Sequence, residues 1–326
     1  MSELFYFFIT NLENEELLKK EVEMFFPELR LSYSRSCFLT FKGPASIKDK
    51  VQSRQWYFSK RVGISLEKCN LEKLEATLQA HCQRLYQQVH VYNANEIQYK
   101  STDLPKIPSS FSPTDNGLIL DVIKVRTDEF WLGEHAVLFD QHYFPGGDPD
   151  IELPETAASR AYLKWAEAFQ IFPELHEYKG LVVELGSAPG GGTEFLTNEG
   201  FKVIALDPGL MEFKNCTHLH MAVQEVRAEH FTSKELVQGL FVDMNLSPVQ
   251  SSNETMRVAR YFPNLHFVII NLKMTKLELM DSIEKIKRKF KDLGFSHQDI
   301  IQLPSHKKET MLIVRRNSFG KDQRPL

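Results

Sequence analysis

Residues 181–196, LVVELGSAPGGGTEFL, constrain the fold more than any other stretch of the chain. An apolar run ends on an acid, breaks into a loop with four glycines and a proline, and then restarts as a helix. A strand, a glycine loop and a helix in this order bring backbone N–H groups and a helix N-terminus close to a ligand. The stretch therefore predicts an α/β domain with a ligand site at the end of this strand.

The glycine loop, residues 186–192, matches neither of two familiar phosphate-binding patterns. A P-loop needs a lysine after its last glycine, and a dinucleotide fingerprint needs G-x-G-x-x-G. The proline and the glycine triplet instead suit a sharp turn around a nucleoside that carries no pyrophosphate. We expect the acid before the loop, Glu184, to orient the loop or to reach the ligand's amino group. The predicted ligand contacts here are Glu184, Gly186, Ser187, Ala188, Pro189, Gly190 and Gly191.

The next predicted strand, KVIALDPG, ends in Asp207. An acid at that position can accept hydrogen bonds from the ribose hydroxyls of an adenosine ligand. Sites for NAD and for S-adenosylmethionine share this feature, so it indicates adenosine without choosing between them. Asp207-Pro208-Gly209 is also a good turn sequence, and a turn is the alternative interpretation. Glu225, in AVQEVRAEHF, is a candidate for contacting the adenine edge.

Strands alternate with helices from residue 151 to 326, which predicts a doubly wound, mainly parallel sheet. Helices are expected at 156–170, 193–199 and 275–293 of this region.

The first 68 residues alternate between strand and helix and predict a ferredoxin-like α+β unit, in which residues 30–43 form a single strand. Residues 69–150 are expected to begin with a helix at 70–89. The remaining expected elements are strands at 89–100, 117–126 and 130–138, an exposed Pro/Ser-rich loop between them, and a linker from residue 140 that contains the main domain boundary.

Bulk composition narrows the class of protein. The net charge of −4 gives no overall basic field, although local patches matter more than the sum. No apolar run reaches the roughly 18 residues that indicate a membrane span, and the N-terminus has no basic region typical of a signal peptide. The four cysteines form no C-x-x-C pair and the eleven histidines show no ligand spacing. We therefore expect a cytoplasmic protein with reduced thiols, no metal and no membrane contact, and a monomer.

Basic and aromatic residues alternate in SRQWYFSKR, where Arg54, Lys60 and Arg61 surround Trp56 and Tyr57. Such interleaving can meet RNA phosphates and stack bases. Burial of the aromatic side chains in a core is an equally good interpretation.

The segment ELGSAPGGGTEFL resembles the S-adenosylmethionine-binding motif of the FtsJ-like 2′-O-ribose methyltransferases, usually G-x-x-P-G-G-[WF], with Gly192 in place of the aromatic residue. That family also carries a Lys-Asp-Lys-Glu tetrad on four separate elements. ASRAYLKWAEAF, LFVDMNLSP, HFVIINLKM and SHKKETMLIVRR supply matching residues in the family's order: Lys164, Asp243, Lys273 and Glu309. The same stretches resemble the RlmM-type methyltransferases of bacterial large-subunit ribosomal RNA, which act on a cytidine ribose.

This resemblance implies a Rossmann-like methyltransferase domain at 151–326, preceded by a ferredoxin-like unit at 1–68 and a THUMP-like RNA-binding region at 69–150. It implies S-adenosylmethionine as methyl donor, 23S-type ribosomal RNA as partner, and 2′-O-methylation of a ribose. Lys273 is then the general base, and Asp243 orients it while contacting the methyl donor. Lys164 and Glu309 position the ribose. Burial and the second ammonium are expected to lower the pKa of Lys273, with the two carboxylates in partial opposition.

Other functions stay open on the sequence. The same tetrad serves methylation of a different RNA, such as an mRNA cap. The chain could also be a catalytically inactive RNA-binding or assembly protein on a methyltransferase scaffold, which the glycine at 192 favours and the complete tetrad opposes. A dehydrogenase would need the G-x-G-x-x-G fingerprint, which this sequence lacks.

Overall fold

The chain contains two compact units, residues 1–149 and 150–326. A computed structural model describes residues 2–82, 84, 86–94 and 116–316. Each unit is built on its own seven-stranded sheet. Over these described ranges, no helix is both long enough and apolar enough to cross a membrane.

The first unit has the strand order β2-β3-β1-β4-β7-β6-β5, in which only the β5–β6 pair is parallel. Its elements in chain order are β1 (Glu3–Ile9), α1 (Glu15–Phe25), β2 (Arg30–Arg35), β3 (Phe38–Pro44), α2 (Lys48–Ser53), β4 (Arg61–Cys69), α3 (Leu71–His81), β5 (Gln88–Asn93), β6 (Leu118–Arg126) and β7 (Glu129–Ala136).

The single strand expected at 30–43 is in fact the hairpin β2–β3, and that prediction was wrong. The turn between β2 and β3 is at Cys37, whose φ of 65° lies in the left-handed region. Glycine is the residue that usually signals such a turn in a sequence, and there is none here. With this hairpin, β1 to β4 follow the β-α-β-β-α-β succession in the order 2-3-1-4, which is the ferredoxin-like arrangement. The sheet continues past residue 68, because β4 also pairs with β7.

Several other expectations for this unit differ from the structure. The helix expected at 70–89 ends at His81, and the chain re-enters the sheet at Gln88. The supposed linker from residue 140 begins with packed residues, among them the buried Gln141 and His142. The Pro/Ser-rich loop lies almost wholly outside the described residues. The THUMP-like interpretation is not confirmed and stays a prediction.

The aromatic residues interleaved with basic ones belong to the core. Trp56 is buried and packs edge-on against Phe8, with ring centroids 4.8 Å apart, and Tyr57 is buried as well. Lys60 and Arg61 are also buried. The core interpretation is therefore correct for Trp56 and Tyr57, and the alternative of an RNA-facing surface at these two residues was wrong. The burial of Lys60 and Arg61 was not predicted.

The second unit is the predicted Rossmann-like α/β fold, with strand order β10-β9-β8-β11-β12-β14-β13. The first five of these strands are parallel, and β14 runs antiparallel to both of its neighbours. Its elements are α4 (Ala161–Ile171), β8 (Leu181–Leu185), α5 (Gly191–Asn198), β9 (Lys202–Leu206), β10 (Thr217–Leu219), β11 (Val237–Val242), α6 (Pro248–Ala259), β12 (Phe267–Lys273), α7 (Ile283–Asp292), β13 (His297–Ile301) and β14 (Glu309–Arg315). The helix expected at 275–293 is a 3₁₀ turn at 277–282 followed by α7.

One edge of the second sheet collects the ends of several strands. The central strands β8, β11 and β12 read as near-continuous apolar runs because helices cover both faces of a parallel sheet. Their carboxyl ends meet at the same edge. The antiparallel β14 begins there, so its first residue, Glu309, pairs with the last residue of β12, Lys273.

Five polar side chains form a buried cluster on the sheet of the first unit. His135 Nδ1 lies 2.5 Å from Asp121 Oδ2, and its other ring nitrogen contacts the guanidinium of Arg61. Arg61 also donates to the carbonyl oxygen of His142 at 2.9 Å. Burial lowers the pKa of His90 to about 3 and that of His142 to about 2, with Arg61 adding to the effect. These histidines are therefore neutral, and Arg61 supplies the positive charge that balances Asp121.

We expect the buried histidines of the first unit to reduce its stability in mild acid. An unfolded histidine takes up a proton near pH 6.5, whereas folded His90 and His142 stay neutral far below that pH. The unfolded state then binds more protons, so the stabilisation is complete above pH 6.5 and falls as the pH drops below it. Each of these two histidines costs about 1.4 kcal/mol at pH 5.5, one unit below that pKa.

Urea unfolding at pH 7.5 and 5.5 measures this loss, and His90→Leu is the informative variant. Neither ring nitrogen of His90 has a hydrogen-bond partner among the described residues, so the substitution removes one titrating group without breaking a bond. The variant should keep its stability better than the wild type on acidification. An identical pH dependence in both proteins would contradict the prediction.

Candidate active site

Four charged side chains meet at the carboxyl edge of the second sheet, each from a different element. Lys164 lies on α4, Asp243 directly follows β11, Lys273 ends β12 and Glu309 begins β14. The structure thus brings together all four residues that the sequence resemblance assigns to a tetrad. The side chains are largely buried, with exposed fractions between 5% and 20%.

Cations and anions alternate around this tetrad. The Lys164 ammonium donates to Asp243 Oδ2 at 2.8 Å and lies 3.0 Å from Glu309 Oε1. The Lys273 ammonium donates to Asp243 Oδ1 at 2.7 Å and to Glu309 Oε2 at 2.6 Å. Each ammonium therefore contacts both carboxylates, and the formal charges of the group cancel.

The charges in the tetrad set the pKa of Lys273 in the direction opposite to the sequence expectation. Burial by itself would lower this pKa, but Asp243 and Glu309 together outweigh burial and raise it. The expected net lowering is therefore wrong for this arrangement. Burial by itself would raise the pKa values of the carboxyl groups of Asp243 and Glu309. The ammonium groups of Lys164 and Lys273 lower them instead.

Two supporting contacts escaped the sequence analysis. Glu167, one helical turn after Lys164, accepts hydrogen bonds from the backbone N–H of Ser305 at 3.1 Å and from its hydroxyl at 2.7 Å. This ties α4 to the loop that leads into Glu309. A buried acid three residues from Lys164 was the available signal, but a single glutamate on a helix usually faces solvent.

The second contact involves a buried histidine just before Glu309. Burial lowers the pKa of His306 to about 3, so its ring is neutral. Its Nδ1 accepts from the backbone N–H of Leu303 at 3.1 Å, which assigns the ring proton to Nε2. That nitrogen donates to Asn271 Oδ1 at 3.1 Å, inside strand β12. The loop before β14 is thereby fixed to the strand that ends in Lys273.

The glycine loop lies directly against the tetrad. Gly186 has φ of 82°, and a Cβ there would lie 2.6 Å from the carbonyl oxygen of Asp243. Gly190 has φ of 121°, and a Cβ there would lie 2.8 Å from the Cβ of Phe213. Only glycine meets both requirements, so these two positions set the path of the loop beside Asp243.

The acid before the loop serves to hold the loop in place. Glu184 is buried, accepts from Trp165 Nε1 at 2.9 Å and accepts from the Thr193 hydroxyl. Burial raises the pKa of Glu184 to about 7, although these two hydrogen bonds oppose the rise. Its predicted contact with a ligand stays a prediction.

The two other acids predicted to contact a nucleoside form local turns. Asp207 Oδ1 accepts from the backbone N–H of Gly209 at 2.6 Å, which is the turn that the sequence offered as an alternative. Glu225 is exposed and accepts from the backbone N–H of Ala222 at 3.2 Å. The ligand contacts proposed for Asp207 and Glu225 stay predictions.

Comparison of the sequence with known proteins also points to a methyltransferase site in the second unit. Residues 157–308 match the FtsJ-like methyltransferase family. A protein of Marinobacter nauticus named ribosomal RNA large subunit methyltransferase M is 34% identical over 142 residues, which cover 40% of this chain and 38% of the relative. The protein of the same name from Methylococcus capsulatus is 27% identical over 248 residues, covering 67% of each chain. An uncharacterized protein of Methanocaldococcus jannaschii is 27% identical over 49% of this chain and 47% of the relative.

The chain spans less than half the length of two of these relatives. The match to the FtsJ-like methyltransferase family lies wholly within the second unit and runs from just before α4 to the residue before β14. The predicted resemblance to this family is thus confirmed.

The residues of the glycine loop fit S-adenosylmethionine. Ser187 is buried, and its hydroxyl has no hydrogen-bond partner among the described residues. An orphaned buried hydroxyl in a loop of this kind calls for a polar ligand group. Ser187 and the backbone N–H groups of the loop are the groups that would hold the methyl donor.

We expect Gly186→Ala to damage the loop more than Gly200→Ala does. Both glycines have positive φ, 82° and 92°, so alanine costs about 1–2 kcal/mol of backbone strain at either position. A Cβ at Gly200 meets nothing within 4 Å, whereas one at Gly186 overlaps the backbone of Asp243, which adds about 1–3 kcal/mol.

Denaturant unfolding of the two variants measures this difference, and calorimetric titration with S-adenosylmethionine shows whether it reaches the binding site. Gly200→Ala is the matched control for strain. Equal losses of stability in the two variants would show that the loop yields at Gly186.

Proposed function

We propose that this protein transfers a methyl group from S-adenosylmethionine to the 2′-hydroxyl of a ribose in structured RNA. The observation that carries the proposal is the closed tetrad of alternating charges beside the glycine loop, within one methyltransferase domain. The names of two relatives support large-subunit ribosomal RNA as the substrate. The choice of a cytidine in 23S-type RNA is the finer part of the proposal and comes from the sequence resemblance. The RNA-binding role of residues 69–150, the monomeric state and the cytoplasmic location belong to the same proposal.

The tetrad residues take distinct roles in this proposal. S-adenosylmethionine supplies a methyl group on a sulfonium, which an attacking oxygen can accept in line with the departing sulfur. Lys273 removes the proton from the ribose hydroxyl as general base. Asp243 holds the Lys273 ammonium at 2.7 Å and so aims it, while Lys164 and Glu309 position the ribose. Alignment of the reacting atoms is the largest expected contribution of the protein.

The raised pKa of Lys273 shapes how a base of this kind works. Because Asp243 and Glu309 stabilise the ammonium, only a small fraction of Lys273 is deprotonated at neutral pH. That fraction is the active one. A lysine with a raised pKa is also a stronger base in its deprotonated form, so the deprotonated Lys273 accepts the ribose proton readily.

We expect Lys273→Ala to abolish methyl transfer while S-adenosylmethionine still binds. The substitution removes the base but leaves the glycine loop intact. Incubation with labelled S-adenosylmethionine and total RNA, followed by mapping of the label, measures transfer and identifies the acceptor. Calorimetry measures binding of the methyl donor. Lys202→Ala is the control, because Lys202 is an exposed lysine at the start of β9, on the opposite edge of the same sheet.

Each result has a distinct meaning. Retained turnover in Lys273→Ala would remove the base assignment. Label on a different RNA or on a base would replace the proposed acceptor. A wild-type protein that binds RNA but neither binds S-adenosylmethionine nor transfers label would instead be an inactive assembly protein.

We expect the rate of methyl transfer to rise with pH. Below the raised pKa of Lys273, the deprotonated fraction grows about tenfold per pH unit, so single-turnover rates should rise with a slope near one from pH 7 to 9. Rates are measured at saturating S-adenosylmethionine and RNA in overlapping buffers. A rate that is constant across this range would show that proton removal by Lys273 does not limit the reaction.

A further inference from the structure

Position 192 requires glycine because neighbouring side chains leave no room for a Cβ atom, and not because of its backbone conformation. It is the second residue of α5 and has helical geometry, which any residue can adopt. A Cβ at this position would overlap Glu184 Oε1 and Trp165 Nε1, and would lie 2.8 Å from Trp165 Cδ1. The neighbouring indole and carboxylate thus exclude every side chain here, including the aromatic residue that this motif usually carries.

Trp165 fills the space that Gly192 leaves. Its side chain is fully buried, and its ring packs edge-on against Phe241 with centroids 5.2 Å apart. Its indole N–H donates to Glu184 Oε1 at 2.9 Å, and the Thr193 hydroxyl donates to the other carboxylate oxygen. Glu184 on β8 is therefore bound at once to α4 and to the first turn of α5.

This contact joins the two halves of the site. Trp165 follows Lys164 directly in α4, and Lys164 contacts both carboxylates of the tetrad. Thr193 directly follows Gly192 in α5, the helix whose first residues belong to the glycine loop. One turn of α4 thus supports the tetrad through one residue and the glycine loop through the next.

We propose that Trp165 is a positioning residue that performs from α4 the task of the aromatic residue missing at 192: it fixes the glycine loop in the shape that binds the methyl donor. The inference rests on the proposed function, because it assumes that the loop binds S-adenosylmethionine. It treats Trp165 and Gly192 as one exchangeable pair, in which a large side chain at one position demands a small one at the other.

A double-mutant cycle tests this pairing. The variants are Gly192→Ala, Trp165→Leu and the two combined, and the measured quantity is the dissociation constant of S-adenosylmethionine by calorimetry. Gly192→Ala overpacks the loop and should weaken binding about tenfold or more. Once Trp165 is replaced by leucine, the methyl group added by Gly192→Ala no longer meets the indole. Glu184 Oε1 also loses its hydrogen bond to the indole and can turn away from the added methyl group, so Gly192→Ala should cost much less. Binding by the double variant should be about tenfold tighter than the product of the two single effects.

Two further variants separate positioning from general stability. Phe169→Leu truncates another buried aromatic side chain of α4, which packs on Phe241 and on Phe195 of α5 but does not donate to Glu184, as Trp165 and Thr193 do. It should lower the free energy of unfolding but leave the dissociation constant unchanged. Trp165→Phe retains a buried aromatic ring and removes only the donor to Glu184. It should fold, weaken S-adenosylmethionine binding about tenfold, and leave the rate at saturating donor within about twofold of wild type.

The outcomes distinguish failure of the pairing from failure of the proposed function. Additive single effects, or unchanged binding in Trp165→Phe, would overturn the role of Trp165. A fall in the saturated rate with unchanged binding would show that Trp165 acts on the tetrad. A wild-type protein that does not bind S-adenosylmethionine would remove the proposed function instead.

Discussion

The site depends on the cancellation of charge among two lysines and two carboxylates at a largely buried position. Removing one member of such a group leaves an uncompensated buried charge, which costs far more than the pair contributes when complete. The four residues come from four elements, so the charge balance also binds α4, β11, β12 and β14 to one another. The ion pairs that set the charge of the site are thus the same contacts that hold these four elements together.

Around the tetrad, buried polar residues fix the elements that carry it. Glu167 holds α4 to the loop before β14, and the His306–Asn271 contact holds that loop to β12. Glu184 performs the corresponding task for the glycine loop through Trp165 and Thr193. Each of these side chains makes at least one hydrogen bond, as burial requires. The result is a site whose charged residues stand on strands and helices and are braced by neutral or hydrogen-bonded neighbours.

Much of the second unit could be predicted from sequence, because a buried parallel sheet leaves long apolar runs separated by glycine and charged residues. The four tetrad residues were predicted from the resemblance to the FtsJ-like methyltransferases, and the apolar runs added only that three of them lie at the ends of strands. The hairpin turn at Cys37 was not, because nothing in that residue type signals a positive φ. The direction of the pKa of Lys273 was also missed. It depends on contacts of 2.6 and 2.7 Å to two carboxylates, and spacing along the chain does not reveal them.

The antiparallel pairing of β14 with β12 determines where Glu309 lies. Glu309 and Lys273 face each other as register partners, so the hydrogen-bond ladder places the carboxylate and the length of the preceding loop does not. Side chains alternate between the two faces of a strand, so a slip of one residue in β14 would turn Glu309 away from both lysines. A single deletion inside β14 would therefore break the tetrad even though all four of its residues were still present in the chain. The phase of this strand is as much a part of the site as the identity of its first residue.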